Sequence, residues 1–429
     1  MPFEDEIKDA TIKDSFLFGK ARSLGKLGRF EEALEAYDQI LKQFPDSEIM
    51  DQVWFWKAET LYELGRFQEA AALYQETGRK YPSSDLQDDL QYNLGWANVR
   101  LGKLDEAIDH FRFVADYSNN EVLKVNALCR IGDTYLEKKE FEKALDEYDE
   151  VLKAYPKSIY SDYAQYQSGV TLLDLNRPDA AALSFQSLIV HYPQSHYMDK
   201  AMYGLGTALM RKNRHTDALT HFKKLLSQFP ESALREKTYL QAGNCHFQLS
   251  EFQEAIAIYK DIHARSAQSD VGSLAKYQLG WCYFKSGKEK EGLAEFEDYL
   301  KKYPDSDLAA DVYYTLGDYF YNRGQYVPAR EAFQQIPAKF SAHSKADDAR
   351  FWIAQTYDRE GDSAAALEEL KKLADQFPAS EWAPKGLLKV AESLVLQGKS
   401  DEAKVELVKI VNGPTLEPYQ TLAKKKLAE

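Results

Sequence analysis

The chain has 429 residues and a formal net charge of -14 at pH 7, from 54 Lys and Arg against 68 Asp and Glu. A chain with this charge as a whole repels nucleic acid and anionic membrane surfaces. No apolar stretch reaches the roughly 18 residues that a membrane-spanning helix needs. We therefore expect neither nucleic-acid binding nor direct membrane insertion.

The N-terminal residues 1–13 are predicted to be a lead-in to the first helix. The opening sequence MPFEDEIKDATIKDSF is acidic and has no apolar core of the kind that defines a secretory signal peptide. Two compartments remain open at this point. The protein is periplasmic or envelope-associated if a signal has been removed, and cytoplasmic otherwise.

Residues 14–420 are predicted to form eleven 37-residue repeats in one continuous solenoid. The phrase GRFEEAL at Gly28 recurs as GRFQEAA at Gly65 and as GKLDEAI at Gly102. Degenerate copies follow at the same spacing, at Lys139, Asn176, Asn213, Ser250, Gly287, Gly324, Gly361 and Gly398. A fixed period without insertions indicates supersecondary units that stack on their neighbours to bury a shared core.

Each repeat is predicted to be a pair of antiparallel helices. In the third repeat, a small residue in the first helix (Gly95) precedes an alanine in the second (Ala107), and a large ring (Phe111) follows one turn later. Small residues on both helices allow close approach, and the i, i+4 spacing stacks Ala107 and Phe111 on one face. The residue between the helices, here Gly102, is predicted to be a left-handed helix terminator. Apolar and polar residues do not alternate with a period of two along the repeat, so we predict no β-strands.

The second helix of most repeats ends in an aromatic-proline pair such as Phe44-Pro45. Proline stops a helix and pushes its predecessor out of the α region. A serine two residues after the proline is predicted to cap the next helix at its N-terminus. These serines are Ser47, Ser84, Ser158, Ser195, Ser232, Ser306 and Ser380. After the last repeat, residues 416–429 are predicted to form a C-terminal capping helix.

These columns resemble the tetratricopeptide repeat, whose pattern is visible in YTLGDYF at Tyr314–Phe320. The resemblance covers roughly residues 9–413 and implies an all-α fold, an α-solenoid wound as a right-handed superhelix with first helices lining the concave side. The usual repeat has 34 residues. The three extra residues lie between the proline and the next helix, where we expect them to lengthen the first helix by nearly a turn. This long form is similar to bacterial envelope members of the family, of the Tol-Pal coordinator and outer-membrane assembly lipoprotein type.

No catalytic, metal-binding or cofactor-binding motif is present. The sequence has no Gly-rich phosphate loop and no HExxH, CxxC or GxSxG motif. The three cysteines, Cys129, Cys245 and Cys282, fit small apolar core residues. The strict period also leaves no inserted loop from which to build a pocket. We predict that the protein is not an enzyme and has no catalytic residues, metal or cofactor.

The predicted binding surface is formed by the residues that lie three positions before the small residue of each first helix, which is Gly95 in the third repeat. Most residues at this position are aromatic, and we call them the aromatic column; the small residues form the small-residue column. In the family this position faces the groove, and aromatic side chains give large contact area at low entropic cost. Trp96 and Trp281 lie four residues further along the same helix faces. The predicted aromatic contact residues are Phe55, Tyr92, Trp96, Tyr166, Tyr203, Tyr277, Trp281, Tyr314 and Phe351. The alternative is that these rings pack against the preceding repeat.

The charged residues at the groove-facing positions of repeats six to eight are basic. They are Lys200, Arg211, Lys237 and Lys285, with Asn244 among them. This combination predicts a partner that is an acidic or extended peptide. The alternative is an ordinary scatter of four surface charges.

The leading functional hypothesis is a non-catalytic scaffold or adaptor that binds partner peptides or domains along its concave surface, in a bacterial envelope complex. One alternative is a glycan- or peptidoglycan-associated binding module, because aromatic ladders also stack on sugar rings. Another is a regulatory subunit of an enzyme complex. We expect a monomer, since both ends of the array are predicted to be capped.

Overall fold

A computed structural model of the chain describes residues 10–414 and 417–428. All regular structure in this part of the chain is helical, and it contains no β-strand. The chain divides into two compact units, Met1–Gln241 and Ala242–Glu429, so the boundary falls inside one helix. The continuity of a single solenoid across residues 14–420 remains a prediction.

The described residues form 23 helices. Those of the first unit are α1 (Ala10–Lys26), α2 (Phe30–Gln43), α3 (Met50–Glu63), α4 (Phe67–Lys80), α5 (Gln87–Arg100), α6 (Leu104–Tyr117), α7 (Glu121–Glu137), α8 (Phe141–Ala154), α9 (Ser161–Asp174), α10 (Pro178–His191), α11 (Met198–Arg211) and α12 (His215–Gln228). Helix α13 (Arg235–Gln248) contains the boundary. Those of the second unit are α14 (Phe252–Ser266), α15 (Asp270–Lys285), α16 (Glu289–Lys302), α17 (Asp307–Asn322), α18 (Tyr326–Lys339), α19 (Ala346–Glu360), α20 (Ser363–Gln376), α21 (Trp382–Leu396), α22 (Ser400–Asn412) and α23 (Glu417–Ala428).

Odd-numbered helices are the first helices of the repeats, and even-numbered helices are the second helices. Within each unit, successive helices pack together as an α-solenoid. Helix α23 packs on α22 and buries Ala423, while the predicted capping role of residues 416–429 stays a prediction. The predicted lead-in falls partly on residues 1–9, which lie outside the described part of the chain.

The turn between the paired helices is left-handed in every repeat, as predicted. The residue at this position has a φ between 54° and 83° in all eleven repeats, whether it is glycine, as at Gly102, or not, as at Lys139 and Asn176. Glycine enters this region without a steric penalty, whereas other L-residues enter it at a cost. The recurrent glycine of the sequence is therefore a conformational requirement of the turn.

The small-residue column lies directly beneath the large ring of the second helix. A Cβ atom added to Gly95 would lie 2.6 Å from a Phe111 ring carbon, and one added to Gly132 would lie 2.6 Å from the Tyr148 ring. The second-helix alanines, including Ala107, are completely buried. The two small columns and the ring thus form the core of each helix pair, as the spacing predicts.

The predicted serine caps are wrong in several repeats. The residues that cap α3, α5, α9 and α11 are Ile49, Leu86, Tyr160 and Tyr197, and the serines Ser47, Ser84, Ser158 and Ser195 lie two residues earlier. The three extra residues form a turn in these repeats, so the helix starts later than expected and is not lengthened. Ser195 instead donates a hydrogen bond to Asp162 of the preceding first helix at 2.6 Å.

The serine-cap prediction holds at α17, and α7 begins after a linker of a different kind. Ser306 caps α17, and its hydroxyl accepts a hydrogen bond from the Leu308 amide at 3.3 Å. The linker before α7 has no proline, and there Asn120 caps a helix of 17 residues, against 14 in α9. The expected additional turn of helix therefore occurs in the fourth repeat.

Candidate interaction surface

The predicted aromatic column packs on the core ring of its own repeat. In the first unit the ring centroids of Tyr92 and Phe111 are 5.5 Å apart, and those of Tyr203 and Phe222 are 5.9 Å apart. The same contact recurs for Phe55, Tyr166, Tyr277 and Tyr314, with second-helix rings at 5.5 to 6.1 Å. Each ring therefore has one side fixed by the core of its own repeat rather than by the preceding one.

These rings differ in how much surface they leave open. Phe55 is only 5% exposed and belongs to the core. The remaining rings are partly exposed, namely Tyr92, Trp96, Tyr166 and Tyr203 in the first unit and Tyr277, Trp281, Tyr314 and Phe351 in the second. Phe351 stacks on Trp382 of the next first helix, with centroids 4.1 Å apart. Their role in binding remains a prediction.

The predicted basic residues of the first unit are exposed. The Lys200 ammonium lies 5.2 Å from the centroid of the Tyr197 ring. Arg211 donates a hydrogen bond to the carbonyl of Leu173 near the end of the preceding first helix. Lys237 is also exposed. The guanidinium of Arg211 thus already has a structural partner, whereas the two lysines project into solvent.

The two predicted residues of the second unit have different surroundings. Lys285 is exposed at the end of α15. Asn244 is partly buried, and its side-chain oxygen accepts a hydrogen bond from the Tyr259 hydroxyl at 2.8 Å. Asn244 therefore has a structural function beside any predicted contact with a partner.

Sequence reasoning missed a set of polar residues in the first helices, each of which directly follows the small residue of its helix. Its members accept hydrogen bonds from buried tyrosines 15 residues later. In the first unit the Tyr148 hydroxyl donates to Asp133 at 2.7 Å, and the Tyr74 hydroxyl donates to Glu59. Burial raises the pKa of both phenols far above the usual range, and the adjacent carboxylates add to the effect. A buried hydroxyl needs such a partner, because leaving it unpaired costs its full desolvation penalty.

A groove opens between the first helices α3 and α5, which we call the α3–α5 groove. Its volume is about 280 Å³. Its lining consists of Glu59, Tyr62, Glu63, Tyr74, Asn93 and Trp96. The Asn93 amide donates to Glu59 at 2.6 Å. Burial, followed by the nearby charges of Glu63 and Asp89, raises the pKa of Glu59. The groove thus combines a positioned carboxylate with aromatic side chains.

The grooves on either side contain cations of the chain itself. Between α1 and α3, the Arg22 guanidinium lies 3.6 Å from the centroid of the Trp56 ring, beside a groove of about 300 Å³. Between α5 and α7, the Arg130 guanidinium lies 5.7 Å from the Trp96 centroid and pairs with Asp133 at 2.7 Å. Sequence reasoning did not identify the two contacts between a cation and a ring, because each joins residues of different repeats.

Metal-ligating side chains are dispersed over the described helices. Within residues 10–414 and 417–428, no three His, Cys, Asp or Glu side chains are grouped so as to hold a metal ion. Among the described helices, none has both the length and the apolar character of a membrane span. The three cysteines are buried, and burial raises the pKa of the Cys129 thiol to about 12. They are core residues, as predicted.

Left-handed turns, small columns and core rings repeated along both units define a helical-repeat protein. A sequence model of the tetratricopeptide repeat matches residues 18–85. A model described as an outer membrane lipoprotein matches residues 121–239 and 233–392. The chain belongs to the tetratricopeptide repeat proteins, and it resembles envelope members of that family. It is a protein-interaction repeat scaffold, and this repeat fold is typically non-catalytic.

Several solved structures resemble the chain, at low sequence identity. A tetratricopeptide repeat protein from Parabacteroides merdae is 19% identical over 59% of this chain and 93% of its own, with a TM-score of 0.43. Yeast Tom70 is 13% identical over 98% and 96%, with a TM-score of 0.42. MamA from Desulfovibrio magneticus is 19% identical over 44% and 98%, with a TM-score of 0.37. No curated protein matches the chain in sequence.

Proposed function

We propose that the chain holds a protein partner as an extended segment along the exposed side of its first helices. In the first unit this surface, which we call the first-helix wall, extends from α1 to α11. One observation carries the proposal. Tyr92, Tyr166 and Tyr203 are each held by a core ring, Tyr166 also stacks on Tyr197, and all three remain partly exposed. Rings held in this way provide contact area without a further loss of rotamer entropy on binding.

The exposed lysines add polarity to the same wall. Lys200 lies three residues before Tyr203 on α11, and residues at this spacing share a helix face. Lys237 occupies the equivalent place in the next repeat. These two exposed cations, of which Lys200 lies 5.2 Å from the centroid of the Tyr197 ring, favour a partner with acidic side chains near them. Concave curvature at the wall and a monomeric state are parts of the same proposal.

The bacterial envelope is the proposed compartment. The match to the outer membrane lipoprotein model over residues 121–392 supports it. We also propose that the chain has no catalytic activity of its own, which fits the unbroken 37-residue period in the sequence.

A matched pair of photocrosslinking variants tests the wall. Lys200→p-benzoylphenylalanine places the crosslinker on α11, and Lys223→p-benzoylphenylalanine places it on an exposed position of α12 in the same repeat. Both variants are expressed as the full chain in the native host and irradiated in living cells. We expect one recurrent protein adduct from position 200 and none of that mass from position 223.

The partner, identified from the adduct by mass spectrometry, is then purified and irradiated with each of the two purified variants. A partner that binds the wall should again form an adduct with position 200 and none with position 223. Equal crosslinking from both positions, or from position 223 alone, would show that the first-helix wall is not the binding surface.

A further inference from the structure

We propose that the α3–α5 groove receives a cationic side chain, lysine or arginine, from the segment bound along the wall. This inference rests on the proposed function, because it names the chemistry of one contact within it. It concerns α3 and α5 only. The acidic partner residues proposed above would lie elsewhere on the first unit, beside Lys200 and Lys237.

None of the described residues that line the α3–α5 groove beside its two carboxylates is a cation. Neither Glu59 nor Glu63 forms an ion pair with a described residue. The two hydrogen bonds from Tyr74 and Asn93 both end on the Oε1 atom of Glu59. They hold the carboxylate in place while its Oε2 atom accepts no hydrogen bond from the described residues. A preorganised carboxylate of this kind binds a guanidinium or ammonium group by a charge-assisted hydrogen bond.

Aromatic faces surround the same carboxylates. Tyr62 and Trp96 line the groove together with Glu59 and Glu63. Cations are attracted to the faces of such rings, and most strongly to tryptophan. A carboxylate beside an indole therefore favours a cation over a neutral or an anionic side chain.

The chain uses the same arrangement for its own cations in the adjacent repeats. Arg130 contacts Trp96 and Tyr163 through their rings and Asp133 through an ion pair. Arg22 lies over Trp56 in the groove on the other side. Arg22 and Lys26 line the α1–α3 groove together with Glu59 and Glu63, whereas no cation of the described chain lines the α3–α5 groove on the other side of these carboxylates. A partner segment that follows the wall is complementary in charge if its cation lies at the α3–α5 groove.

Fluorine NMR of the full chain labelled with 5-fluorotryptophan tests this inference. The Trp96 signal is assigned by its loss in Trp96→Phe. The probes are N-acetyl-argininamide, N-acetyl-lysinamide and N-acetyl-citrullinamide, the last being a neutral isostere of the first. We expect the two cationic probes to shift the Trp96 signal, and the citrulline probe to bind at least about tenfold more weakly.

The carboxylates are tested by the double variant Glu59→Gln/Glu63→Gln. Glutamine at position 59 keeps an oxygen for the hydrogen bonds from Tyr74 and Asn93, so the fold is preserved. We expect the affinity of the arginine probe to fall about tenfold in this variant. The matched control Glu69→Gln/Glu106→Gln removes two exposed carboxylates of second helices and should leave the affinity unchanged.

The results separate this inference from the proposed function. Equal binding of the citrulline and arginine probes, or an unchanged affinity in Glu59→Gln/Glu63→Gln, overturns the cation site. If position 200 still crosslinks to a partner in that case, the first-helix wall remains the binding surface. If the probes bind as expected but position 200 gives no adduct, the cation site stands and the proposed function fails.

Discussion

The Tyr148 hydroxyl donates a hydrogen bond to the Asp133 carboxylate, 15 residues earlier, at 2.7 Å. The ring of Tyr148 fills the core beside Gly132, and its hydroxyl reaches the edge of the first helix. Asp133 also pairs with Arg130 and accepts a hydrogen bond from Tyr163 at 2.7 Å. One carboxylate thus connects the core of the fourth repeat with the first helix of the fifth.

Removing this hydroxyl by Tyr148→Phe should lower the stability of α7 and α8. Asp133 keeps its other partners, so we expect a loss of about 1 kcal/mol, the usual net value of a buried hydrogen bond. Amide hydrogen exchange is the appropriate measurement, because repeat arrays open locally. The control Tyr117→Phe changes a ring that is 71% exposed and should have no effect. Equal exchange rates in both variants would contradict a stabilising role for the pair.

Glu59→Gln should change the pH dependence of local stability around α3. The folded pKa of Glu59 is raised, chiefly by burial. A carboxyl that binds its proton more tightly in the folded state loses stability as pH rises from its unfolded pKa, about 4.3, through its folded pKa. We therefore expect α3 and α5 of the wild type to exchange faster as pH rises through this interval, after correction for the intrinsic exchange rate.

In Glu59→Gln this decrease in stability should be absent, because position 59 no longer titrates. The exposed residue Glu35 provides the control, as Glu35→Gln should leave the wild-type profile intact. A profile for Glu59→Gln that follows the wild type would show that another group titrates there.

Much of the fold follows from the sequence, because a residue type that recurs at one position of the repeat reflects a local requirement of the backbone or of the packing at that position. A left-handed turn favours glycine, and a ring facing a helix backbone favours glycine or alanine, so both positions can be read from the repeat. The serine caps were predicted wrongly because their assignment depends on where the helix begins. In the repeats around Ser47 and Ser195, the three extra residues form a turn that shifts this start.

The tyrosine partners were visible in the sequence but were missed. Where the core ring is tyrosine, as in the second, fourth and seventh repeats, the residue after the small column is Glu59, Asp133 or Asn244. Where it is phenylalanine, the same position holds Trp96 or Trp281 in two repeats. The correlation fails in the first repeat. There the core ring is Tyr37, but the residue after the small residue is Arg22, whose side chain cannot accept a hydrogen bond. The α3–α5 groove was not predictable, since it depends on the spacing between helices of successive repeats.

Gly132→Ala should destabilise the fourth repeat. Its new Cβ would lie 2.6 Å from the Tyr148 ring, too close for a real contact, so the ring must move. Overpacking of this kind costs about 1–3 kcal/mol. The control Gly19→Ala adds a Cβ in helix α1 with nothing within 4 Å, and it should stabilise that helix by up to about 1 kcal/mol. Hydrogen exchange of α7 and α1 measures the two effects, and a neutral Gly132→Ala would contradict close packing of the column.

Lys139→Gly should stabilise the turn between α7 and α8. Lys139 has a φ of 61°, in the left-handed region that costs an L-residue about 1–2 kcal/mol. Glycine removes this strain but loses more backbone entropy on folding, so we expect a net gain of about 0.5–1 kcal/mol. The reverse change, Gly102→Lys in the preceding repeat, imposes the same strain at a φ of 72° and should destabilise by a similar amount. Opposite shifts in the exchange rates of the flanking helices would support this account, whereas two shifts in the same direction would show that side-chain contacts, not backbone strain, determine the preference at this position.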